Sequence, residues 1–139
     1  MKKSKEKLYL DLSFLRGSKD STITGIHIDE IEKWKQHLLT KKSKKKIRFV
    51  KDWVWWDIKE DEECNEICIR YKLKPSAIYS HNLLWDEGGQ FSSGWSIRTS
   101  FLEKFEEGCL FITTNTIYVL VGPGRQSDVT LKEYDSVNF

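Results

Sequence analysis

The sequence predicts an α+β fold, a single domain built mainly on an antiparallel β-sheet with two to three short helices. Three observations predict it. The chain has 139 residues, a length that suits one hydrophobic core. Short β-prone and short helical stretches are mixed along it, and their spacing fits no repeated βαβ unit. No internal repeat or linker divides it, so residues 1–139 read as one domain. With 39% hydrophobic residues, six of them Trp, the chain can build a core, which excludes a disordered or collagenous protein. No run approaches the roughly 20 apolar residues that a spanning helix needs, so no membrane partner is expected.

Met1 to Lys7 is lysine-rich and reads as flexible. Leu8, Leu10, Leu12 and Phe14 alternate with Tyr9, Asp11 and Ser13, the period of a strand with one buried face. The Leu8–Leu15 stretch is too short for a signal peptide, carries Asp11 and is followed by no small-residue cleavage site, so a cytoplasmic protein is expected. Arg16 to Asp20 reads as a turn, and Ser21 to Ile28 as a returning strand.

Asp29 then opens a helix, with Glu32 completing a capping box. Ile31, Trp34 and Leu38 recur at helical spacing and should dock on the core. The helix ends near Thr40 in a run that includes Lys41, Lys42, Lys44, Lys45 and Lys46. Such a run repels itself and reads as an exposed basic loop. Ile47 to Ile58 is strongly β-prone, with Trp53 and Trp55 on one face and Trp56 on the other. Glu60 to Tyr71 is a second helix with an acidic first turn and with Arg70 and Lys72 near its end, as the helix dipole favours. Its apolar stripe is Cys64, Ile67, Cys68 and Tyr71, and Pro75 stops it.

Ala77–Trp85 and Phe91–Arg98 flank Asp86–Gln90 as a β-hairpin. Ser100 and Glu103 form a capping box for a short helix that buries Phe101, Leu102 and Phe105, with Gly108 as its C-cap. Cys109–Ile112 and Thr116–Val121 form a second hairpin around Thr114-Asn115, and Gly122-Pro123-Gly124 breaks the strand. Val129, Leu131 and Tyr134 are the docking residues of the tail.

No enzymatic activity is expected. Cys64 and Cys68 share a helix face, but neither a CxxC spacing nor a nearby His completes a zinc set. The three cysteines therefore read as buried thiols, with no disulfide, metal or cofactor. Ser93-Gly94-Trp95-Ser96 is not a nucleophile elbow. Gly122-Pro123-Gly124-Arg125 follows a strand, where phosphate loops often lie, yet it lacks the Lys-Ser/Thr of a P-loop. It reads as a turn from which Arg125 projects. A small metal-independent RNase, with His81 and Arg98 converging on a phosphate from paired strands, is the third functional option.

The net charge of +2 hides an asymmetry. Met1–Lys51 carries 15 basic and 6 acidic residues; Asp52–Phe139 carries 8 and 15. One reading is RNA or DNA binding through Lys41, Lys42, Lys44, Lys45, Lys46 and Arg48, with the nearby tryptophans stacking bases if exposed. The favoured reading is a protein-binding module. Asp57, Glu60, Asp61, Glu62 and Glu63 would steer a basic partner, and Trp55 or Trp56 would anchor it. Either reading weakens if the basic and acidic segments pair within the fold.

His81, Asp86, Gly94-Trp95, Arg98-Thr99-Ser100, Gly108-Cys109-Leu110-Phe111, Thr114-Asn115, Tyr118-Val119-Leu120 and Gly122-Pro123-Gly124 make the segment Ile78–Arg125 resemble a family of small bacterial proteins of uncharacterised function. The resemblance implies a shared α+β core. Trp95, Arg98 and Asn115 are the positions that architecture explains least, and with Arg125 they join the candidate partner-binding residues. In size, charge and lack of catalytic motifs the chain also resembles immunity proteins of bacterial toxin systems. That resemblance implies an inhibitory module that blocks a basic toxin domain by steric occlusion.

Overall fold

The structure, a computed structural model, describes residues 13–41, 43–59 and 61–137. After a 3-10 turn at Ser13–Leu15 come β1 (Lys19–Asp20), a second 3-10 turn (Ile28–Glu30), α1 (Ile31–Thr40), β2 (Lys46–Ile58) and α2 (Glu62–Tyr71). Then follow β3 (Ser76–Asp86), β4 (Ile97–Arg98), β5 (Lys104–Glu106), β6 (Leu110–Ile112), β7 (Thr116–Leu120), β8 (Arg125–Val129) and α3 (Leu131–Asp135).

One eight-stranded sheet forms around β2. β3 lies antiparallel along one edge of β2, from Arg48 opposite Asp86 to Asp57 opposite Ser76, and β4 pairs beyond it. The other edge of β2 is parallel to β7 over Lys46–Val50 and to β8 over Val54–Ile58. β6 and β5 continue outward from β7, and β1 pairs with β8. The α+β class holds. The sheet is mixed, because the two parallel pairings join segments far apart in the chain that hairpin signals do not reveal.

The core of β2 is aromatic and aliphatic. Trp56 packs with Val54, Ile58, Phe14, Tyr79 and Tyr134, while Trp53 packs with Val50, Ile78 and Phe111. Trp55 is partly buried on the Trp53 side, so the expected division of the three tryptophans holds. Val50 and Trp53 are three apart and would face opposite ways in a regular strand. Between them Asp52 takes a left-handed φ of 51°, which resets the alternation.

Several local expectations give way to longer-range pairing. The proposed strand Leu8–Phe14 lies outside the described residues as far as residue 12. Ser13–Leu15 is a 3-10 turn whose Phe14 carbonyl accepts the Trp56 Nε1–H at 3.0 Å. Ser21–Ile28 is not a strand, since only Ile26 bridges to Val121. The capping box before α1 lies two residues earlier than Asp29 and Glu32 and caps the 3-10 turn that leads into the helix. The His27 ring accepts from the Asp29 N–H, and the Glu30 side chain accepts from the His27 N–H. Ile31, Trp34 and Leu38 dock as expected.

No helix follows Ser100. Leu102 bridges to Lys74, and Lys104–Glu106 pairs with β6 as β5. Glu107 and Gly108, at φ 54° and 71°, turn the chain back within the three residues between Glu106 and Leu110, in place of a helix C-cap. Glu103 is drawn instead to Lys45, 2.8 Å away. α2 ends before Pro75, at Lys72, whose φ of 57° lets its N–H reach the Cys68 and Ile69 carbonyls. In the tail, Val129, Leu131 and Tyr134 all dock on the Trp56 cluster.

One buried ion pair ties β2 to the β3–β4 hairpin. Arg48 Nε donates to Asp86 Oδ1 at 3.1 Å, Nη1 to the Tyr118 hydroxyl and Nη2 to Gln90 Oε1. Asp86 also accepts the N–H groups of Gly88, Gln90 and Phe91, so it closes the turn that follows β3. Burial alone would push its carboxyl up. The Phe91 N–H, the Arg48 guanidinium and the Gly88 N–H outweigh burial and hold it below the ordinary 3.8. The unfolded chain therefore takes up this proton at a higher pH than the folded one. Stability from Asp86 is fully present above about pH 4 and is lost as pH falls through the lower folded pKa. Asp86→Ala should lower the unfolding free energy at pH 7 by roughly 3–5 kcal/mol, because it leaves Arg48 buried without its partner. Urea denaturation at pH 7 and pH 3 checks both points, and the variant should lose less stability on acidification than the parent.

Candidate partner-binding face

α2 begins where β2 ends. Asp61 caps it by accepting the Cys64 N–H at 2.9 Å, and Glu62 and Glu63 follow in the first turn, where carboxylates oppose the helix dipole. The helix docks through Cys64 and Cys68 alone, both buried in the Trp56 cluster. Ile67 and Tyr71, expected to be buried with them, are 40% and 64% exposed, and Ile69 is 79% exposed. The helix thus carries small thiols inward and its largest apolar side chains outward.

These side chains fall among acids. By helical spacing Glu62, Glu66 and Ile69 share the outer face, while Glu63, Ile67 and Tyr71 lie toward α3. Between α2 and α3 runs a groove of about 430 Å³, with Ile67, Leu73, Phe101 and Leu131 along it and Glu63 and Asp135 beside them. Among the described residues no ion pair reaches Glu62, Glu63 or Glu66.

The other expected partner-binding residues do not converge on this face. Trp56 is 0% exposed and cannot anchor a partner, because it fills the space between the sheet and α2. Trp55 is partly covered by Phe105 and Phe111. Asp57 is engaged, since its Oδ1 accepts the Trp55 Nε1–H and the Ser76 hydroxyl. Glu60 lies outside the described residues. Arg98 is turned inward, its guanidinium stacked 4.0 Å from the Tyr134 ring centroid and donating to the Tyr134 carbonyl. Trp95 is 53% exposed beside Phe91, and Asn115 is exposed in the β6–β7 turn. Arg125 is exposed and paired with Asp20.

The nucleic-acid set is also reduced. Arg48 is buried in its ion pair, and Lys45 is held by Glu103 and the Thr113 carbonyl. Lys41, Lys44 and Lys46 are exposed, and Lys42 lies outside the described residues. Trp53 and Trp56 are buried, so neither can stack on a base. His81 and Arg98 share no site, since His81 hydrogen-bonds the Leu15 carbonyl while Arg98 serves α3. Sequence reasoning missed the outward Ile67, Ile69 and Tyr71. The signal available was Ile69 itself, which no inward stripe of α2 accommodates.

Fold and face together define a small α+β domain with a curled mixed sheet and one acidic helix that leaves apolar side chains uncovered. The chain belongs to the DUF6957 family, a domain of unknown function, which matches residues 24–136. That match begins well before the Ile78–Arg125 segment and takes in α1 and the lysine run. Neither the curated proteins nor the solved structures contain a match. Among the described residues, no helix is long and apolar enough to cross a membrane, and no group of three or more His, Cys, Asp or Glu could hold a metal ion.

The thiols under α2 report on its docking. Burial, then the neighbouring Cys68, pushes the Cys64 thiol up to about 12, and burial followed by Glu107 pushes Cys109 up to about 11. Cys68 is also raised by burial. With thiolate scarce, 5,5′-dithiobis(2-nitrobenzoate) at pH 8 should label all three slowly in the native protein and rapidly in urea. Fast labelling of Cys64 and Cys68 but not Cys109 would mean that α2 undocks.

Proposed function

We propose that this protein is a protein-binding module that captures a basic partner on the outer face of α2 and in the α2–α3 groove. The observation that carries the reading is the placement of exposed Ile67, Ile69 and Tyr71 among the carboxylates of Glu62, Glu63 and Glu66, which form no ion pair among the described residues. Long-range attraction by the acids would steer the encounter, and the apolar side chains would supply the desolvated contacts that hold it. The anchoring role moves from the tryptophans of β2 to these residues. The mechanism is occlusion without catalysis, and its most concrete form is an immunity-type protein that covers a basic bacterial toxin domain.

The test takes the product of the adjacent gene as the candidate partner and measures binding by isothermal titration calorimetry. Tyr71→Ala combined with Glu63→Lys should weaken binding by about thirtyfold, the equivalent of about 2 kcal/mol at a contact hot spot. Both side chains are exposed, so the unfolding midpoint should fall only slightly, by the loss of one carboxylate from the first turn of α2. Unaltered affinity, or a loss produced only by converting Lys41, Lys44 and Lys46 to Ser, would count against this face. Heparin retention that vanishes in the lysine variant would support the nucleic-acid reading instead.

A further inference from the structure

Away from α2, a cleft of about 410 Å³ opens where β2 passes from one parallel neighbour to the other. Its floor is rigid. Trp53 Nε1 donates to the Gly122 carbonyl at 3.1 Å, and the indole lies so close against Gly124 that a Cβ there would overlap the ring. Gly124 is thus required by contact, and the Gly122-Pro123-Gly124 turn is clamped to β2.

Polar groups of two kinds line the cleft. Arg16 and Arg125 supply guanidinium donors; Asp52 and His81 supply acceptors. Arg125 Nη1 is 2.6 Å from Asp20 Oδ1 and its Nη2 donates to the Gly17 carbonyl at 3.4 Å, so its charge is neutralised and only its remaining N–H groups are left for a ligand. Among the described residues Arg16 and Asp52 take part in no ion pair. His81 Nε2 lies 2.7 Å from the Leu15 carbonyl, which can only accept, so Nε2 carries the proton. In the neutral ring Nδ1 is then left as an acceptor. The backbone of Asp52 takes a left-handed φ of 51°.

The free Arg16 fork, the remaining Arg125 donors and two acceptors match a ligand that carries an oxyanion and hydroxyl groups. A guanidinium pairs with phosphate oxygens through parallel hydrogen bonds, and a carboxylate accepts from hydroxyls. We propose that the cleft binds the phosphate monoester of a small polyhydroxylated molecule, a sugar phosphate in chemical class. Arg16 holds the phosphoryl group, the free N–H groups of Arg125 assist it, and Asp52 with His81 accepts from the hydroxyls. This site is independent of the α2 face.

The test titrates isotope-labelled protein with ribose 5-phosphate, ribose and inorganic phosphate at constant ionic strength, following the Gly124 and Arg125 amides and the His81 ring by NMR. Ribose 5-phosphate should shift all three saturably and bind roughly tenfold tighter than phosphate, while ribose gives no saturation. Arg16→Ala, an exposed position, should weaken the ester by roughly tenfold or more. Asp52→Asn should weaken the ester and leave phosphate unchanged, and Glu63→Lys on α2 should change neither. Absence of saturable shifts, equal binding by the Arg16→Ala protein, or equal affinity for phosphate and its ester would overturn the proposal.

Discussion

Strand β2 must satisfy two edges of backbone hydrogen-bonding groups over 13 residues, and the strands available to it on one side are five residues each. β3, with 11 residues, covers one edge nearly alone. The other edge is shared, β7 taking the first half and β8 the second, with the Gly122–Gly124 turn between them. Unpaired buried backbone groups are costly, so the interval has to be bridged. The Val121 N–H reaches the Val50 carbonyl, the Gly122 N–H reaches Ile26, and Trp53 donates to the Gly122 carbonyl. Asp52 absorbs the change of phase. The rest of the molecule is arranged around this junction: α1 docks on the β7 side, α2 and α3 on the β8 side, and the cleft opens at the junction itself.

α2 shows how far packing can depart from ordinary amphipathicity. A helix gains stability in a protein mainly from the apolar face it buries. Two cysteines bury little area compared with the isoleucines this helix leaves outside, at roughly 25 cal/mol per Å². A single exposed apolar residue such as Ile69 needs no explanation, whereas Ile67 and Tyr71, one turn apart beside an apolar groove, make a patch. The docking of α2 is made good by its caps, with Asp61 at one end and the left-handed Lys72 at the other.

Local chemistry made much of this fold legible. The β6–β7 hairpin, the extent of β2, the end of α1 and the existence of α2 all follow from periodicity and turn residues. The segment after Ser100 was not legible in this way, because a capping box and three inward apolar residues describe a helix as well as a strand. β5 prevails there because β6 offers a ladder and Glu107 and Gly108, both at positive φ, let the chain reverse within three residues. The acidic helix could be found from sequence, yet its anchors could not. A run such as Asp52–Trp56 gives no sign of which aromatic faces outward until β3, α2 and Phe105 have been placed. The roles of Arg48 and Arg98 were hidden for the same reason: each pairs with a residue dozens of positions away.

The division of charge between the two halves of the chain is only partly resolved within the fold. Arg48–Asp86 and Lys45–Glu103 join a base of the first half to an acid of the second, and Arg125–Asp20 joins them in the reverse sense. Among the described residues, the lysine loop and the acids of α2 take no such partners from each other. The first precedes β2 and the second follows it, so the length of the strand separates them by up to roughly 40 Å at about 3.3 Å per residue. At physiological ionic strength the Debye length is about 8 Å, and fields of opposite sign at that separation do not cancel. β2 therefore keeps a basic end and an acidic end electrically independent on one small domain. Charge at one end would thus have little effect on what the other end attracts.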